Sequence, residues 1–278
     1  MTEHHDPEIG LRIRAAGLET NYHDLGAGDP VLLIHGSGPG VTAWANWRVT
    51  MPALARTHRV IAPDMAGFGY TERVPGTQYG MDLWVDHLVG LLDALGIGAA
   101  HLVGNSFGGA LALAMAVRHP QRVRKLVLMG AAGVHFELTE GLDAVWGYEP
   151  SLENMARIMG VFAYDRSRLT PELAESRYRA SVRPGYQESF SAMFPAPRQR
   201  WVDALACHEA QLGGIRQPTL IVHGRDDQVI PLANSLRLLE LIGPAQLHVF
   251  GQCGHWTQIE HAASFNELVK DFLSAEDN

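Results

Sequence analysis

The residue with the clearest potential for chemistry is a serine held between two glycines. Ser106 lies in Gly104-Asn105-Ser106-Phe107-Gly108, which fits the pattern G-x-S-x-G. An apolar strand-like run ends at Gly104 and an apolar helical run starts at Gly109, so we predict a tight turn that exposes the Ser106 hydroxyl. Glycines let backbones approach closely in such a turn, where a Cβ would clash. The motif indicates a nucleophile, and the alternative is a serine that only caps the helix.

A serine hydroxyl is a poor nucleophile at neutral pH and needs a histidine base that a carboxylate orients. In enzymes built on this motif, the acid follows a later strand and the histidine comes later still. Asp226 and Asp227 follow the apolar run 219–223, and His255 lies in a turn after the last apolar run. This order predicts His255 as the base and one of the two aspartates as the acid. The pattern alone does not choose between them.

A glycine-rich turn follows the first core strand and reads His35-Gly36-Ser37-Gly38-Pro39-Gly40. It contains neither G-x-G-x-x-G nor the lysine of a phosphate-binding loop, so a nucleotide site is not indicated. In serine hydrolases with a strand-to-helix nucleophile, this loop supplies one N–H group to the oxyanion. We assign that donor to Ser37, with Gly38 close behind. The N–H of Phe107, at the positive end of the following helix, is the second donor.

Short apolar runs of β-branched residues recur along the chain, and each ends in a glycine or acidic turn. Continuous apolarity of this kind suits strands covered on both faces, as in a parallel sheet. Helical patterns between the runs imply right-handed crossovers. Residues 11–14 and 20–23 flank Gly17 and predict an antiparallel hairpin at one sheet edge. The six predicted core strands are 31–36, 59–64, 101–104, 125–130, 219–224 and 246–251.

The apolar, strand-like runs do not continue between Val134 and His208, where the chain is rich in Met, Arg, Tyr and Phe. Thr170-Pro171-Glu172 is a good helix start within this stretch. We therefore predict an α/β-hydrolase fold with a mostly parallel eight-stranded sheet flanked by helices. Its core comprises residues 1–133 and 209–278, and residues 134–208 form an inserted helical cap.

The charge and composition of the chain limit the kinds of molecule that it is expected to bind. There are 30 acidic and 22 basic residues, the formal net charge is −8 and the pI is about 5.9, so we expect neither nucleic acid nor a membrane as partner. Cys207 and Cys253 have no metal-ligand spacing, and we expect no metal and no cofactor. The first six residues carry no apolar signal core, and no run is long enough to span a bilayer. A cytoplasmic protein is the expectation.

Other histidines have simpler interpretations than catalysis. His101, His223 and His248 lie inside predicted strands, and we expect them to be buried and hydrogen-bonded. His35 is expected to shape its loop. The remaining ones look like ordinary helix or loop positions: His58, His87, His119 and His261.

Several blocks of sequence carry a resemblance to a known family. They are Ile34-His35-Gly36-Ser37-Gly38-Pro39-Gly40, Asn46-Trp47-Arg48, Ala62-Pro63-Asp64-Met65-Ala66-Gly67-Phe68-Gly69, Gly104-Asn105-Ser106-Phe107-Gly108-Gly109, Met129-Gly130-Ala131-Ala132-Gly133, His223-Gly224-Arg225-Asp226-Asp227 and Leu247-His248-Val249-Phe250-Gly251-Gln252-Cys253-Gly254-His255-Trp256. Through these blocks, nearly the whole chain resembles the meta-cleavage-product hydrolases of bacterial aromatic degradation. The match is closest to the branch that acts on products of monocyclic, alkyl-substituted aromatics.

The resemblance implies a reaction and a set of residues. Family substrates are 2-hydroxy-6-oxo-2,4-dienoates, and water cleaves the carbon–carbon bond beside the distal ketone. By this resemblance Asp227 is the triad acid and Arg177 binds the substrate carboxylate. Asn46, Asn105 and Trp256 match the polar groups of that subsite. The family is commonly oligomeric, so a homo-oligomer (a dimer or tetramer) is expected.

The substituent on the ketone is not predictable from the sequence. Apolar residues of the predicted cap are candidates for its subsite and equally for ordinary core: Trp146, Ile158, Phe162, Met193 and Phe194.

Two other functions remain open at this stage. A carboxylesterase would use the same triad on simple esters and would need no cation for a carboxylate. A non-catalytic receptor could also use this fold. Haloalkane dehalogenases and epoxide hydrolases are disfavoured, because their nucleophile at this turn is aspartate and here it is Ser106.

Overall fold

A computed structural model describes residues 6–276 of the chain. Residues 1–5, on which most of the expectation about a signal segment depends, lie outside the described residues, as do Asp277 and Asn278. Within residues 6–276 the strands form one eight-stranded sheet in the order β1-β2-β4-β3-β5-β6-β7-β8. The strands are β1 (Leu11–Ala15), β2 (Leu18–Leu25), β3 (Pro30–Ile34), β4 (Arg59–Pro63), β5 (Ala100–Asn105), β6 (Val123–Met129), β7 (Thr219–Gly224) and β8 (Ala245–Phe250).

Most of the sheet is parallel, as predicted. β1 pairs with β2, and β2 with β4, in antiparallel fashion, whereas the pairs from β4 through β8 are parallel. The predicted hairpin at the edge is confirmed, and its turn is made by Ala16 and Gly17, both with positive φ. The sheet therefore presents the carboxyl ends of its parallel strands at one edge, where such sheets build their sites.

Helices cover the sheet on both faces. They are α1 (Ala43–Trp47), α2 (Met51–Leu54), α3 (Met81–Ala94), α4 (Phe107–Arg118), α5 (Glu140–Trp146), α6 (Leu152–Phe162), α7 (Pro171–Ser181), α8 (Tyr186–Met193), α9 (Gln199–Leu205), α10 (Glu209–Leu212), α11 (Leu232–Leu241), α12 (Thr257–Glu260) and α13 (Ala262–Ser274). Helix α4 is apolar all round, and its residues Phe107 to Ala116 are all buried. It is the central helix against which the nucleophile turn is built.

The last strand departs from the prediction. Continuous apolarity suggested that every core strand is covered on both faces, but β8 alternates between half-buried and exposed side chains. It lies at one edge of the sheet, and within residues 6–276 its strand neighbour is β7. His248 is consequently exposed, so the prediction that it is buried is wrong.

Residues 134–208 contain helices and no strand, and with α10 these helices, α5–α10, are called the inserted helices below. Thr170 caps α7 as expected, since its Oγ1 accepts a 3.2 Å hydrogen bond from the N–H of Leu173. The division of the chain into a core of 1–133 and 209–278 and a cap of 134–208 stays a prediction. Within residues 6–276, none of the helices has the length and apolarity needed to cross a membrane.

Candidate active site

Ser106 is the single residue between strand β5 and helix α4. Its backbone has φ 56° and ψ −114°, a strained conformation for a residue with a side chain. The strand runs one residue further than predicted, to Asn105, and the helix begins earlier than predicted, at Phe107. The carbonyl of Ser106 accepts hydrogen bonds from the N–H groups of Gly109 (2.9 Å) and Ala132 (3.1 Å). These bonds help to hold the strained turn in place.

The glycines of the motif are required by space. A Cβ on Gly104 would overlap the carbonyl oxygen of Gly108, and one on Gly108 would overlap the carbonyl oxygen of Ile34. The turn therefore packs backbone against backbone on both sides of Ser106. This is the physical reason that the pattern G-x-S-x-G was readable in the sequence.

Asp227 and His255 form a close pair. The Nδ1 of His255 lies 2.6 Å from Oδ2 of Asp227, and the side chains are only 3% and 1% exposed. Burial acts to raise the pKa of Asp227, but the charge and hydrogen bond of His255 outweigh it, so the pKa of Asp227 is lowered. Oδ1 accepts from the N–H groups of Val229 (2.7 Å) and Ile230 (3.0 Å). The carboxylate is thus ionised and its orientation is fixed.

Asp226 does not contact the histidine. Its Oδ2 accepts a long 3.4 Å hydrogen bond from the N–H of Cys253, and its side chain is 31% exposed beside Arg225. Of the two candidates that the sequence left open, the geometry brings Asp227 to His255 and leaves Asp226 in the loop.

Contacts from two helices hold the His255 turn. The N–H of Gly254 donates to Oε1 of Glu260 at 2.8 Å, and the N–H of His255 donates to the carbonyl of Phe162 at 2.7 Å. The Phe162 ring stacks on His255 and on Trp256, with centroids 5.7 and 5.0 Å apart. Sequence reasoning missed Glu260, because its partners become neighbours only in the folded chain.

A cavity of about 710 Å³ opens in front of Ser106 and His255. Several predicted site residues line it, namely Ser37, Gly38, Asn46, Asn105, Arg177 and Trp256. Asp227 lies behind His255, and the ring of Phe107 packs into the core against Trp84, with 4.6 Å between centroids. Phe107 is the first residue of α4, so its N–H has no acceptor within the helix. Ser37 is tied to the inserted helices, because its Oγ accepts a 3.0 Å hydrogen bond from Nε1 of Trp146.

Side-chain amides form one wall of the cavity. Oδ1 of Asn46 accepts from the N–H of Gly36 at 2.9 Å and from Nδ2 of Asn105 at 3.2 Å. Gln258, which the sequence analysis missed, donates from Nε2 to the carbonyl of Asn46 at 3.3 Å. Within residues 6–276, Oδ1 of Asn105 and Oε1 of Gln258 are buried acceptors without a partner. The family resemblance had marked Asn46 and Asn105 for this subsite, whereas Gln258, three residues after His255, carried no such signal.

Arg177 reaches the cavity and is already paired there. Its Nη2 lies 3.0 Å from Oε1 of Glu8, whose side chain is 7% exposed, and Oε2 of Glu8 lies 2.6 Å from Nη1 of Arg183. Sequence analysis identified neither Glu8 nor Arg183. No signal could have found them, since Glu8 and Arg177 are 169 residues apart in the chain.

The apolar wall differs in part from the candidates named above. Ile158 and Phe162 line the cavity together with Met155 and Met159 of α6. Trp146 and Phe194 instead stack on each other in the core, with centroids 4.3 Å apart, and Met193 is fully buried beside them.

Four other histidines are buried and do not line the cavity. His35 is buried, with Nδ1 2.8 Å from the carbonyl of Gly36 and Nε2 accepting from the N–H of Met65, so it shapes its loop. His223 is buried and contacts Ser235 at 2.6 Å, as expected. His101 is buried, but its Nδ1 has no partner within residues 6–276. His87 is more than an ordinary helix position, because it is buried and bonds to Thr20 at 2.7 Å.

The chain is similar to several known proteins. A model of the α/β hydrolase fold family matches residues 29–262. The chain is 66% identical over 270 residues to the 2-hydroxy-6-oxo-2,4-heptadienoate hydrolase of Pseudomonas putida (strain F1), which covers 97% of this chain and 98% of that protein. It is 66% identical over 271 residues to the 2-hydroxymuconate semialdehyde hydrolase of Pseudomonas sp. (strain CF600), with 98% and 96% covered.

Solved structures are similar over the same length. A meta-cleavage product hydrolase from Pseudomonas fluorescens IP01, a mutant complexed with acetates, matches with a TM-score of 0.96 at 62% identity, covering 96% of this chain and 98% of that one. The 2-hydroxy-6-oxo-6-phenylhexa-2,4-dienoate hydrolase of Rhodococcus sp. strain RHA1 matches with a TM-score of 0.88 at 31% identity, covering 96% and 99%.

Proposed function

The chain belongs to the α/β-hydrolase family and, within it, to the meta-cleavage-product hydrolases, and we propose that it cleaves the carbon–carbon bond beside the distal ketone of 2-hydroxy-6-oxo-2,4-dienoates. The products are a 2-hydroxydienoate and a carboxylic acid. The observation that carries this proposal is that one cavity holds Ser106 and His255 together with Arg177. A simple esterase has no need of an arginine at that place.

The polar end of the cavity binds the invariant end of the substrate. Arg177 receives the carboxylate, for which a planar guanidinium offers two parallel N–H donors. Asn105 accepts from the 2-hydroxyl, because its buried Oδ1 needs a donor that residues 6–276 do not supply. Asn46 keeps Asn105 in place through the 3.2 Å amide contact. Trp256 completes the wall between this end and His255.

The first chemical step converts the enol to a ketone. His255 accepts the proton of the 2-hydroxyl and returns it to the carbon next to the distal ketone, so it is free to act as a base again. The C2 ketone formed in this way can take up the electron pair of the bond that breaks next. Asp227 stabilises the histidine while it carries the proton, through the 2.6 Å contact at Nδ1.

The second step breaks the carbon–carbon bond. Ser106 loses its proton to His255 as its Oγ bonds to the distal carbonyl carbon, whose oxygen becomes an oxyanion. The N–H groups of Phe107 and of Ser37 or Gly38 stabilise that charge. The electron pair of the cleaved bond moves through the conjugated carbons onto the oxygen at C2, and this oxygen takes the proton from His255 to give the 2-hydroxydienoate. Water then releases the acyl group from Ser106 as a carboxylic acid.

Rates on two substrates test this function. We expect kcat/KM for 2-hydroxy-6-oxo-2,4-heptadienoate to exceed that for p-nitrophenyl acetate by several orders of magnitude. The opposite ranking would make the protein a carboxylesterase, and absence of labelling by a serine-directed phosphonate would make it a non-catalytic receptor. A cytoplasmic location and a homo-oligomeric assembly stay predictions, which cell fractionation and analytical ultracentrifugation check.

A further inference from the structure

The polar end of the cavity carries more than one cation. Besides Arg177, three further arginines line the same cavity: Arg48, Arg179 and Arg183. Each must either be neutralised by a carboxylate or remain available to an anion that enters. The ion pairs of residues 6–276 separate these two cases.

The charge of Arg177 is already shared. Glu8 contacts both Arg177 and Arg183, and Asp6 contacts Arg183 at 3.3 Å. Two carboxylates thus face two guanidinium groups in one cluster, which has no net charge. A substrate carboxylate that approaches Arg177 is attracted by the arginine and repelled by the buried Glu8. Arg179 is neutralised as well, because Glu175 contacts its Nη2.

Arg48 differs from the other three arginines. Within residues 6–276 it makes no ion pair, and the hydrogen bond of its guanidinium runs from Nη1 to the carbonyl of Ala45 at 2.7 Å. Arg48 is exposed at the rim of the cavity. Partial loss of water around its side chain and then the charge of Arg177 lower the pKa of Arg48, while Glu8 raises it, so the three groups interact electrostatically. Glu172, an acidic group of the same cavity rim, is exposed in the first turn of α7, where water screens its charge.

The backbone that carries Arg48 also carries the amide wall. Arg48 directly follows helix α1, and Asn46 lies within that helix. The N–H of Arg48 donates to the carbonyl of Trp44, and Thr42 caps the start of the helix through a 3.0 Å bond to Ala45. An anion held beside Asn46 and Arg177 therefore lies next to the segment on which Arg48 is fixed.

We propose that Arg48 is a second carboxylate-binding residue of the cavity and supplies the net positive charge that Glu8 removes from Arg177. This inference deepens the proposed function, because it names the group that makes the subsite attractive to an anion. Arg177 then orients the carboxylate through its planar fork, whereas Arg48 provides the uncompensated charge. Glu8 sets how strongly the subsite binds.

The test measures anion binding without turnover. Sorbate, a dienoate that lacks the ketone, is titrated into the full-length protein by calorimetry. We expect Arg48→Gln to raise the Kd for sorbate about fivefold, as for loss of an exposed ionic contact. Arg48→Lys, which keeps the charge, should stay within about threefold of the wild type.

Matched controls distinguish a specific contact between Arg48 and the anion from the overall electrostatic potential of the protein. Arg179→Gln removes a cation from the same cavity rim, but one that Glu175 already neutralises, and it should change the Kd less than about twofold. 2,4-Hexadien-1-ol has the same carbon chain without the charge. Its affinity relative to sorbate should rise in Arg48→Gln and stay unchanged in Arg179→Gln.

Glu8→Gln provides a second, opposite readout. It removes the competing charge and leaves one amide oxygen that can still accept from Arg177 or from Arg183, so sorbate should bind about threefold more tightly. Arg48→Gln should then cost less in the Glu8→Gln background than in the wild type, since Arg177 is no longer compensated. Equal Kd values for Arg48→Gln and Arg179→Gln would overturn the proposal, as would weaker binding in Glu8→Gln.

Failure of the proposed function would look different. If the wild type does not cleave the heptadienoate but sorbate binding depends on Arg48, the anion subsite stands and the reaction is wrong. If the heptadienoate is cleaved and sorbate binding ignores Arg48, the reaction stands and the role of Arg48 is wrong.

Discussion

The backbone N–H of His255 donates a 2.7 Å hydrogen bond to the carbonyl oxygen of Phe162. Phe162 is the last residue of α6, and its ring also stacks on His255 and Trp256. The proposed base is thus in direct contact with the inserted helices. Because Met155, Ile158, Met159 and Phe162 of α6 also line the cavity, the same helix contacts the base and forms part of the cavity wall.

The nucleophile assignment predicts the largest loss. Ser106→Ala should lower kcat by several orders of magnitude while substrate binding stays nearly intact, because the alcohol forms the covalent bond and contributes little to binding. Steady-state kinetics on the heptadienoate and a calorimetric Kd measure the two effects. Turnover within about tenfold of the wild type would disprove the assignment.

The two aspartates should differ sharply. Asp227→Asn removes the charge that stabilises the protonated His255 and favours the wrong tautomer, and in a serine protease the same change lowers kcat by about 10⁴. Asp226→Asn is the matched control, since its side chain is 31% exposed and contacts only the loop. A larger loss for Asp226→Asn would transfer the role of the acid to Asp226.

Glu260 offers a test of the link between the histidine turn and α6. Its Oε1 accepts from Gly254, and its Oε2 accepts from the N–H groups of Tyr164 and Asp165, at 2.8, 2.8 and 3.1 Å. In Glu260→Gln an amide NH₂ replaces one carboxylate oxygen. This NH₂ then faces a backbone N–H group that is also a donor, and that hydrogen bond is lost. We expect a loss of about tenfold in kcat, with a smaller change in KM.

Glu267→Gln is the control for that experiment, because Glu267 is an exposed acid on the neighbouring helix α13. The rate at which a phosphonate labels Ser106 should follow kcat in both variants. If Glu260→Gln lowers only the thermal midpoint and leaves kcat and labelling unchanged, its role is structural and not one of positioning.

The sequence predicted those features that depend on local backbone constraints. Ser106 was found because Gly104 and Gly108 have no room for a Cβ, and a one-residue turn with this constraint leaves a readable pattern. Asp227 and His255 follow strands, so their placement at one edge of the sheet follows from parallel topology alone. The choice of Asp227 over Asp226 came from the family resemblance.

Contacts between residues far apart in the chain could not be predicted from the sequence. The ion pair of Glu8 with Arg177 joins a loop before β1 to a helix of the insertion, and neither residue type nor spacing marks it. Asn46 and Gln258 meet across 212 residues for the same reason. The exposure of β8 was missed because its apolar run resembles those of central strands, whereas its position at the sheet edge is a property of the whole topology.

Acid should destabilise the fold through buried histidines. Burial lowers the pKa of His35 and of His87 from the ordinary value of 6.5 to about 4. From about pH 6.5 down to about pH 4, the unfolded chain binds protons at these positions and the folded chain does not. The free energy of unfolding should therefore fall as the pH falls, by up to about 1.4 kcal/mol per pH unit for each histidine.

Urea unfolding at pH 7 and pH 5 measures this dependence. His87→Gln should make the free energy of unfolding less dependent on pH. It should also lower stability at pH 7, because the contact with Thr20 is weakened. His248→Gln, at an exposed position, should leave the slope unchanged. An equal slope in the wild type and His87→Gln would show that His87 is not among the groups responsible.

Arg177 separates a carbon–carbon hydrolase from an esterase. Arg177→Gln should weaken transition-state binding of the heptadienoate by about 2 kcal/mol, at the lower end of the range for a desolvated charge contact, since the side chain keeps 24% of its exposure. The loss includes a second part: without Arg177, the buried Glu8 repels the substrate carboxylate. Arg177→Lys keeps the charge but loses the planar fork, and its effect should be intermediate.

The decisive quantity is the ratio of kcat/KM for the heptadienoate to kcat/KM for p-nitrophenyl acetate, which has no carboxylate to bind. Arg177→Gln should lower this ratio about thirtyfold, which corresponds to the same ~2 kcal/mol. Arg179→Gln, on the same helix and already neutralised by Glu175, should leave the ratio unchanged. Equal losses on both substrates would mean that Arg177 and Glu8 hold α7 in place and that the carboxylate binds elsewhere. The dienoate would then depend on Arg48 alone, and its Kd should respond to salt as expected for a single exposed charge.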